Sequence, residues 1–199
     1  MKKKVLVATL YGSSAVILAV TKVGPDKVVL LVNEKADDVQ TKALKLIKDS
    51  LGKVLEIEVV KTKVYDIVET AKKGVSIIDG ISKEDIVYVN VTSGRKTMAM
   101  GLLFAAYARA DRVKKIAYNP EDENRVVYLP KLSFKLTESQ KMILLELSKK
   151  EYESVKELSL RVKLSTAMVY RAIGELEDLD FVDVSEGVRL TDAGRIGGL

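Results

Sequence analysis

The residues best suited to chemistry lie in two short loops. From Tyr88 to Met100 the chain reads Tyr-Val-Asn-Val-Thr-Ser-Gly-Arg-Lys-Thr-Met-Ala-Met, an apolar β-branched run, a small polar turn and then a helix-forming stretch. The first backbone amides of such a helix lack intrahelical partners and carry partial positive charge, so they favour an anion. Arg95 and Lys96 add two fixed cations at that point. A second segment of the same kind starts near Met1, where Val5-Leu6-Val7-Ala8-Thr9 runs into Leu10-Tyr11-Gly12-Ser13-Ser14. Small residues in both loops permit close approach of a nucleotide backbone. Neither GxxxxGK[ST] nor GxGxxG is present, which removes the P-loop and the dinucleotide-dependent dehydrogenase readings. With no His and no Cys, the usual general base, the thiolate nucleophile, disulfides and thiolate or imidazole metal sites are all excluded. Any chemistry must use Ser, Lys, Arg, Asp, Glu or Tyr.

The elements that would position these loops follow from periodicity. Strands are expected at 5–9, 28–32, 54–60, 85–91, 113–118 and 125–129, with helices at 15–20, 37–51, 65–78 and 96–110 between them. Repeated βα units predict a mostly parallel sheet with helices on both faces, the last two strands joined by a polar turn at Asn119-Pro120-Glu121-Asp122-Glu123-Asn124,. In such a sheet ligands bind beyond the carboxyl ends of the strands, which puts both loops on one rim. The stretch 96–110 is apolar almost all round, with Met98, Met100, Leu102, Leu103, Phe104 and Tyr107. Such a helix needs cover on more than one side, from its own sheet and a neighbouring helix or from a second subunit.

After Pro130 the pattern changes to three short amphipathic segments. Thr137 with Gln140 and Ser154 with Glu157 match capping boxes, and Ser165 can cap the third helix,. Phe181–Val184, a Ser185-Glu186-Gly187 turn and Val188–Leu190 read as a two-stranded wing. The expectation is an α/β domain over 1–135 and an α+β winged helix-turn-helix over 136–199, whose recognition helix at 165–178 would turn Thr166, Ala167, Tyr170, Arg171 and Gly174 outward. Candidate DNA contacts are Thr166, Tyr170, Arg171 and Arg189, with Arg161 and Lys163 beside them.

Charge divides along the same line. The whole chain carries +5, but residues 1–136 hold 24 Lys plus Arg against 16 Asp plus Glu, a balance of +8, whereas 137–199 hold 9 against 12, a balance of −3. The basic half is the one with the loops, and it favours an anionic partner. DNA affinity comes mostly from neutralised phosphates, so the acidic second half predicts weak binding by a single unit and leaves a structural or partner-contacting role open. The absence of Cys and Trp alongside abundant Lys, Glu, Val and Ile suits a thermophilic source,. No apolar stretch is long enough to cross a bilayer, so the expected setting is cytoplasmic, away from membranes.

The two loops together resemble one family. Thr9-Leu10-Tyr11-Gly12-Ser13 and Asn90-Val91-Thr92-Ser93-Gly94-Arg95-Lys96-Thr97-Met98 are similar to the paired motifs of the CRISPR-associated Rossmann-fold (CARF) domains, a Thr-Leu-Gly-like turn and a Thr-Gly-Gly-X-Lys turn before a helix. Tyr11 and Ser93 stand where that family commonly has Gly. The winged segment resembles MarR-like and related archaeal regulators, and the domain order resembles the Csa-type CARF regulators of antiviral CRISPR loci. The resemblance implies a Rossmann-like fold, a homodimer with its ligand across the two-fold axis, and a cyclic oligoadenylate, in particular cyclic tetra-adenylate, as ligand, with no cofactor and no metal. It implies ligand contacts from Thr9, Leu10, Tyr11, Gly12, Ser13, Ser14, Thr92, Ser93, Gly94, Arg95, Lys96 and Thr97. Two functions remain open: a sensor that controls double-stranded promoter DNA binding by the winged helix, or a metal-independent ring nuclease using Ser13 or Ser14 with Lys96.

Overall fold

The computed structural model describes residues 2–120, 125–130 and 136–198, and the chain divides into two compact units, Met1–Ser133 and Phe134–Leu199. The expected turn after Pro120 falls on residues outside the described set, as does the expected end of the first domain at Lys135.

The first unit is a six-stranded sheet in the order β3-β2-β1-β4-β5-β6, built from β1 (Lys4–Thr9), β2 (Lys27–Asn33), β3 (Glu56–Thr62), β4 (Ile86–Asn90), β5 (Val113–Tyr118) and β6 (Val127–Leu129). All neighbours are parallel except β5 and β6. The central strands β1 and β2 are buried along almost their whole length, as strands covered on both faces must be, which is why they read as unbroken apolar runs,. Helices α1 (Ser13–Val23) and α2 (Asp38–Leu51) share one cluster with Leu6, Ala8, Val28 and Leu30 on one face. On the other, α3 (Ile67–Gly80) packs against α4 (Lys96–Ala108). A Cβ on Gly74 would stand 2.6 Å from that of Ala105, and one on Gly101 2.7 Å from that of Thr70, so the glycines set how closely these two helices approach.

Most element boundaries shift by one to three residues from expectation, among them α3 (Ile67–Gly80 rather than 65–78) and β6 (Val127–Leu129 rather than 125–129), and two of the shifts bear on the site or have a visible cause. The third strand begins at Glu56 rather than Val54, because α2 ends in a turn whose Val54 and Leu55 amides both return to Leu51 O, which leaves Val54 exposed before the strand can pair. The first helix begins at Ser13 rather than Ala15, so Ser13 and Ser14 belong to its first turn and not to the preceding loop.

The second unit contains α5 (Glu138–Leu147), α6 (Val155–Ser159), α7 (Thr166–Asp178), the wing strands β7 (Val182–Asp183) and β8 (Arg189–Leu190), and α8 (Asp192–Gly197). Thr137 closes a reciprocal capping box with Gln140, and Ser154 and Ser165 cap α6 and α7 through the amides of Glu157 and Met168. Ile143, Leu144, Leu147, Leu158, Val169, Ile173 and Leu176 form one core with Phe181 and Leu190 of the wing. Tyr152 adds a bridge to Val188.

Candidate ligand site and winged-helix surface

Strand order reverses between β1 and β4: the chain leaves β1 toward β2 and leaves β4 toward β5. Their carboxyl ends therefore diverge into two adjacent loops at the switch point, where ligands bind in open sheets of this kind,. Both sequence motifs meet here. Thr9 Oγ1 donates to Ser93 O. Ser93 Oγ accepts the amides of Tyr11 at 2.8 Å and Gly12 at 3.2 Å, and donates to Gly12 O at 3.2 Å. Gly94 has φ +93°, a conformation that side chains rarely adopt, and a Cβ there would come within 2.6 Å of Met98 Cε and 3.1 Å of Thr9 Cβ,.

Three buried side-chain amides, none of them among the expected ligand contacts, hold the rim from below. Asn90 Oδ1 accepts the Thr92 amide at 3.1 Å, and its Nδ2 donates to Asn119 Oδ1 at 3.2 Å. Asn119 in turn donates from Nδ2 to Ala15 O at 3.0 Å and from its backbone to Thr92 Oγ1 at 2.8 Å. Gln40 Nε2 donates to Leu10 O at 2.6 Å while its Oε1 accepts the Asn33 amide at 3.2 Å. One signal was available: an Asn ending an otherwise apolar strand, Ile86–Asn90. Its partner at position 119 became visible only in three dimensions.

Of the motif residues, Thr9, Leu10 and Ser93 are buried, and their contacts run inward. The hydroxyls of Thr92 and Thr97 are also engaged, the latter with Val64 O at 2.5 Å. Tyr11, Gly12 and Ser13 are half-buried on the rim, and Ser14, Arg95 and Lys96 are exposed. The β3–α3 turn adds Tyr65, 76% exposed, beside the Val64 carbonyl that Thr97 holds.

The helix starts at this rim differ from the rest. α1 is preceded by Gly12 and α4 by Arg95, and neither receives a side-chain cap. The other six described helices are each capped by an Asp, Ser or Thr side chain. The N-terminal amides of α1 and α4 are thus left without side-chain acceptors where the two loops meet. The Arg95 guanidinium lies 4.8 Å from the centroid of the Tyr11 ring and 3.6 Å from Asp37 Oδ2. The Gln40 amide holds the Asp37 carboxyl below its ordinary range, helped by the Tyr11 hydroxyl and the Arg95 charge against partial desolvation. Lys96 has no ion-pair partner among the described residues. No group of three or more acidic residues placed to hold a metal occurs among the described residues.

α4 buries Met98, Gly101, Leu102, Ala105 and Ala106 against the sheet and α3. On the opposite side Lys96, Met100, Leu103 and Tyr107 follow helical spacing, with Met100 49% exposed and Leu103, Phe104 and Tyr107 half-buried,. The helix is thus covered on one side by its own chain, and an apolar stripe beginning at Lys96 faces away.

On the winged helix, Thr166, Ala167, Met168, Tyr170 and Arg171 are exposed along α7, whereas Gly174 is half-buried. Arg171 Nε donates to Glu175 Oε1 at 2.9 Å, and Glu175 Oε2 also accepts from Gln140 at 2.9 Å. On the wing, Arg189 Nη2 sits 2.6 Å from Asp183 Oδ2, while Ser185 donates its amide and hydroxyl to Asp183 Oδ1. The Ser185 donors, with Arg189, hold the Asp183 carboxyl far below the usual carboxylate range. Two of the four expected DNA contacts are thus engaged in ion pairs within their own unit. No described helix is long and apolar enough to cross a membrane.

By geometry, then, the first unit is a Rossmann-like domain and the second a winged helix-turn-helix. The chain belongs to the HFX_2341_N-like, N-terminal family, whose model matches residues 5–125. Residues 136–183 match the winged helix-turn-helix DNA-binding family. Among solved structures, Can2 from Sulfobacillus thermosulfidooxidans in complex with cyclic tetra-adenylate aligns at TM-score 0.53 and 16% identity, over 98% of this chain and 63% of Can2. Csm6 from Enterococcus italicus, bound to cyclic hexa-2'-fluoro-hexa-dAMP, aligns at 0.53 and 16%, over 89% of this chain and 53% of Csm6. VC1899 from Vibrio cholerae gives 0.53 and 9%, over 98% and 64%. The chain therefore spans between about half and two thirds of the length of these structures, and at such identities the likeness is one of fold. No curated protein matches the sequence.

Proposed function

We propose that the chain is a cyclic-oligoadenylate sensor whose homodimeric first domain, residues 1–135, controls double-stranded DNA binding by its winged helix, residues 136–199. The observation that carries the reading is the convergence, at the switch point, of two helix N-termini without side-chain caps, with Arg95 and Lys96 beside them. A ligand with several phosphodiesters meets these donors and cations without needing a metal. The Can2 and Csm6 complexes, each with a cyclic oligonucleotide on a related fold, favour that ligand class over a mononucleotide. A two-fold dimer through the Met100–Leu103–Tyr107 stripe would bring a second Lys96 to a symmetric ring. For regulation, the ligand must bind one arrangement of the dimer better than the other.

A second activity is compatible with the same pocket, because among the described residues the Ser13 and Ser14 hydroxyls make no hydrogen bond and Lys96 makes no ion pair. In a ring nuclease the ligand's ribose 2'-hydroxyl gives up its proton to solvent as it attacks the adjacent phosphorus, forming a 2'-O–P bond. The P–O5' bond breaks, and the departing 5'-oxygen takes up a proton, leaving a 2',3'-cyclic phosphate. Ser13 would hold the ligand in line and Lys96 would stabilise charge on the phosphoryl oxygens.

Incubation of the purified protein with labelled cyclic tetra-adenylate in chelator, followed by separation of products, tests both readings. Retention of intact ligand together with a shift of promoter DNA is the expected result, and Lys96→Ala should weaken binding at least tenfold. Linear products from the parent protein that vanish in Lys96→Ala would assign the nuclease instead. No binding of any cyclic oligoadenylate would overturn both.

A further inference from the structure

Arg95 is held differently from the other rim groups. Its guanidinium lies against the Tyr11 ring, 4.8 Å from the centroid, and meets Asp37 through a single 3.6 Å contact. The pair is exposed, 51% at Arg95 and 44% at Asp37, so it contributes little to the fold,. Arg109, by contrast, grips Asp79 through two bonds of 2.7 and 2.9 Å. The two oxygens of Asp37 have separate roles. Oδ1 accepts the Gln40 amide at 2.9 Å and caps α2, while Oδ2 faces Arg95. Gln40 is also the residue that holds Leu10 O, so the capped turn and the β1–α1 loop form one piece.

We infer that Asp37 is the resident counter-ion of Arg95, which an anionic ligand must displace, and that it sets the affinity of the rim for phosphodiesters. A phosphate offers Arg95 a bidentate partner in place of one long contact. The Tyr11 ring keeps the guanidinium at the rim during the exchange. Breaking the contact with Asp37 offsets part of what the phosphate gains from Arg95, so binding settles below what the cations alone would give. The β2–α2 turn thereby becomes a third element of the site, selecting for ligands whose phosphate geometry outcompetes a carboxylate. This inference rests on the anion-binding reading of the rim.

Asp37→Asn separates the two roles, because the amide oxygen still caps α2 while the charge is gone. Binding of fluorescent cyclic tetra-adenylate should tighten about three- to tenfold in Asp37→Asn, with the melting temperature unchanged, and should weaken in Arg95→Gln. Adding Asp37→Asn to Arg95→Gln should then change affinity by less than about twofold, since the carboxylate no longer has a partner to mask. Equal or weaker binding by Asp37→Asn, or a gain of the same size without Arg95, would overturn the inference. If the parent protein does not bind cyclic tetra-adenylate, the ligand reading fails by itself. Tripolyphosphate then serves as probe, and the same order, Asp37→Asn above parent above Arg95→Gln, is required of it.

Discussion

Ser93 ties together two loops that no strand pairing connects, since the β1–β4 ladder ends at Ala8 and Asn90. Its hydroxyl takes two amides of the β1–α1 loop and returns its proton to Gly12 O. A Gly at this position would leave the loops to be positioned by Thr9 and the backbone alone. Ser93→Ala removes the shared acceptor and strands the Tyr11 and Gly12 amides in a part-buried setting. Such a loss costs about 1–3 kcal/mol, which urea unfolding of the first domain would read. The same variant should weaken cyclic tetra-adenylate binding more than it lowers stability, because the amides next to Ser13 lose their direction; equal affinity in parent and variant would show that Ser93 supports the fold alone.

Among the elements, α4 joins two roles. Its first turn presents Lys96 and amides without a side-chain cap to the rim, and the stripe of Met100, Leu103 and Tyr107 runs down its outer side from the same residue. If that stripe is the dimer contact, assembly and ligand capture are coupled through one rigid rod, since a shift of the helix at the interface moves its N-terminus. Leu103→Glu buries a charge in the interface without touching the sheet side of α4. It should convert a dimer to a monomer in light scattering and abolish tight binding of a cyclic ligand while the circular dichroism spectrum stays the same. A dimer that survives this change would place the contact elsewhere.

For the whole molecule the decisive quantity is charge and where it is spent. The +8 half carries the rim and the −3 half the winged helix. Within the latter, Arg171 and Arg189 are already committed to Glu175 and Asp183. Few cations remain to neutralise phosphates, so binding of DNA by one unit should be weak, and a dimer that presents two units gains through effective concentration. Glu175→Gln removes the carboxylate that holds Arg171 and keeps the hydrogen-bonding shape beside Gln140. DNA affinity in a gel-shift series should rise severalfold, with a steeper loss on adding salt. An unchanged shift would mean that the recognition helix does not face DNA, and would favour a winged helix used for contacts with protein.

Much of this was legible in the chain itself. Unbroken apolar runs at Val5–Ala8 and Val28–Val32 could only be strands covered on both faces, and Thr137, Ser154 and Ser165 announced three helix starts through rules that act over three or four residues. The two loop motifs were found from local spacing, and the absence of His and Cys settled which chemistries were out of reach. Other features depend on groups far apart in sequence. Ser93 meets Tyr11 across 82 positions and Asn119 meets Ala15 across 104, so nothing near either residue could reveal the contact. Arg95 and Lys96 looked alike in sequence, yet packing gives Arg95 a ring and a carboxylate and leaves Lys96 without an ion partner among the described residues. The same holds for Arg171 and Arg189, whose positive charge was visible in composition but whose counter-ions were set by one helical turn and one wing hairpin. Local patterns decided which elements form, because propensity, capping and periodicity act over a few residues. Which charges stay free for a ligand was decided by tertiary structure, because an ion pair depends on distances that only the folded chain brings within reach.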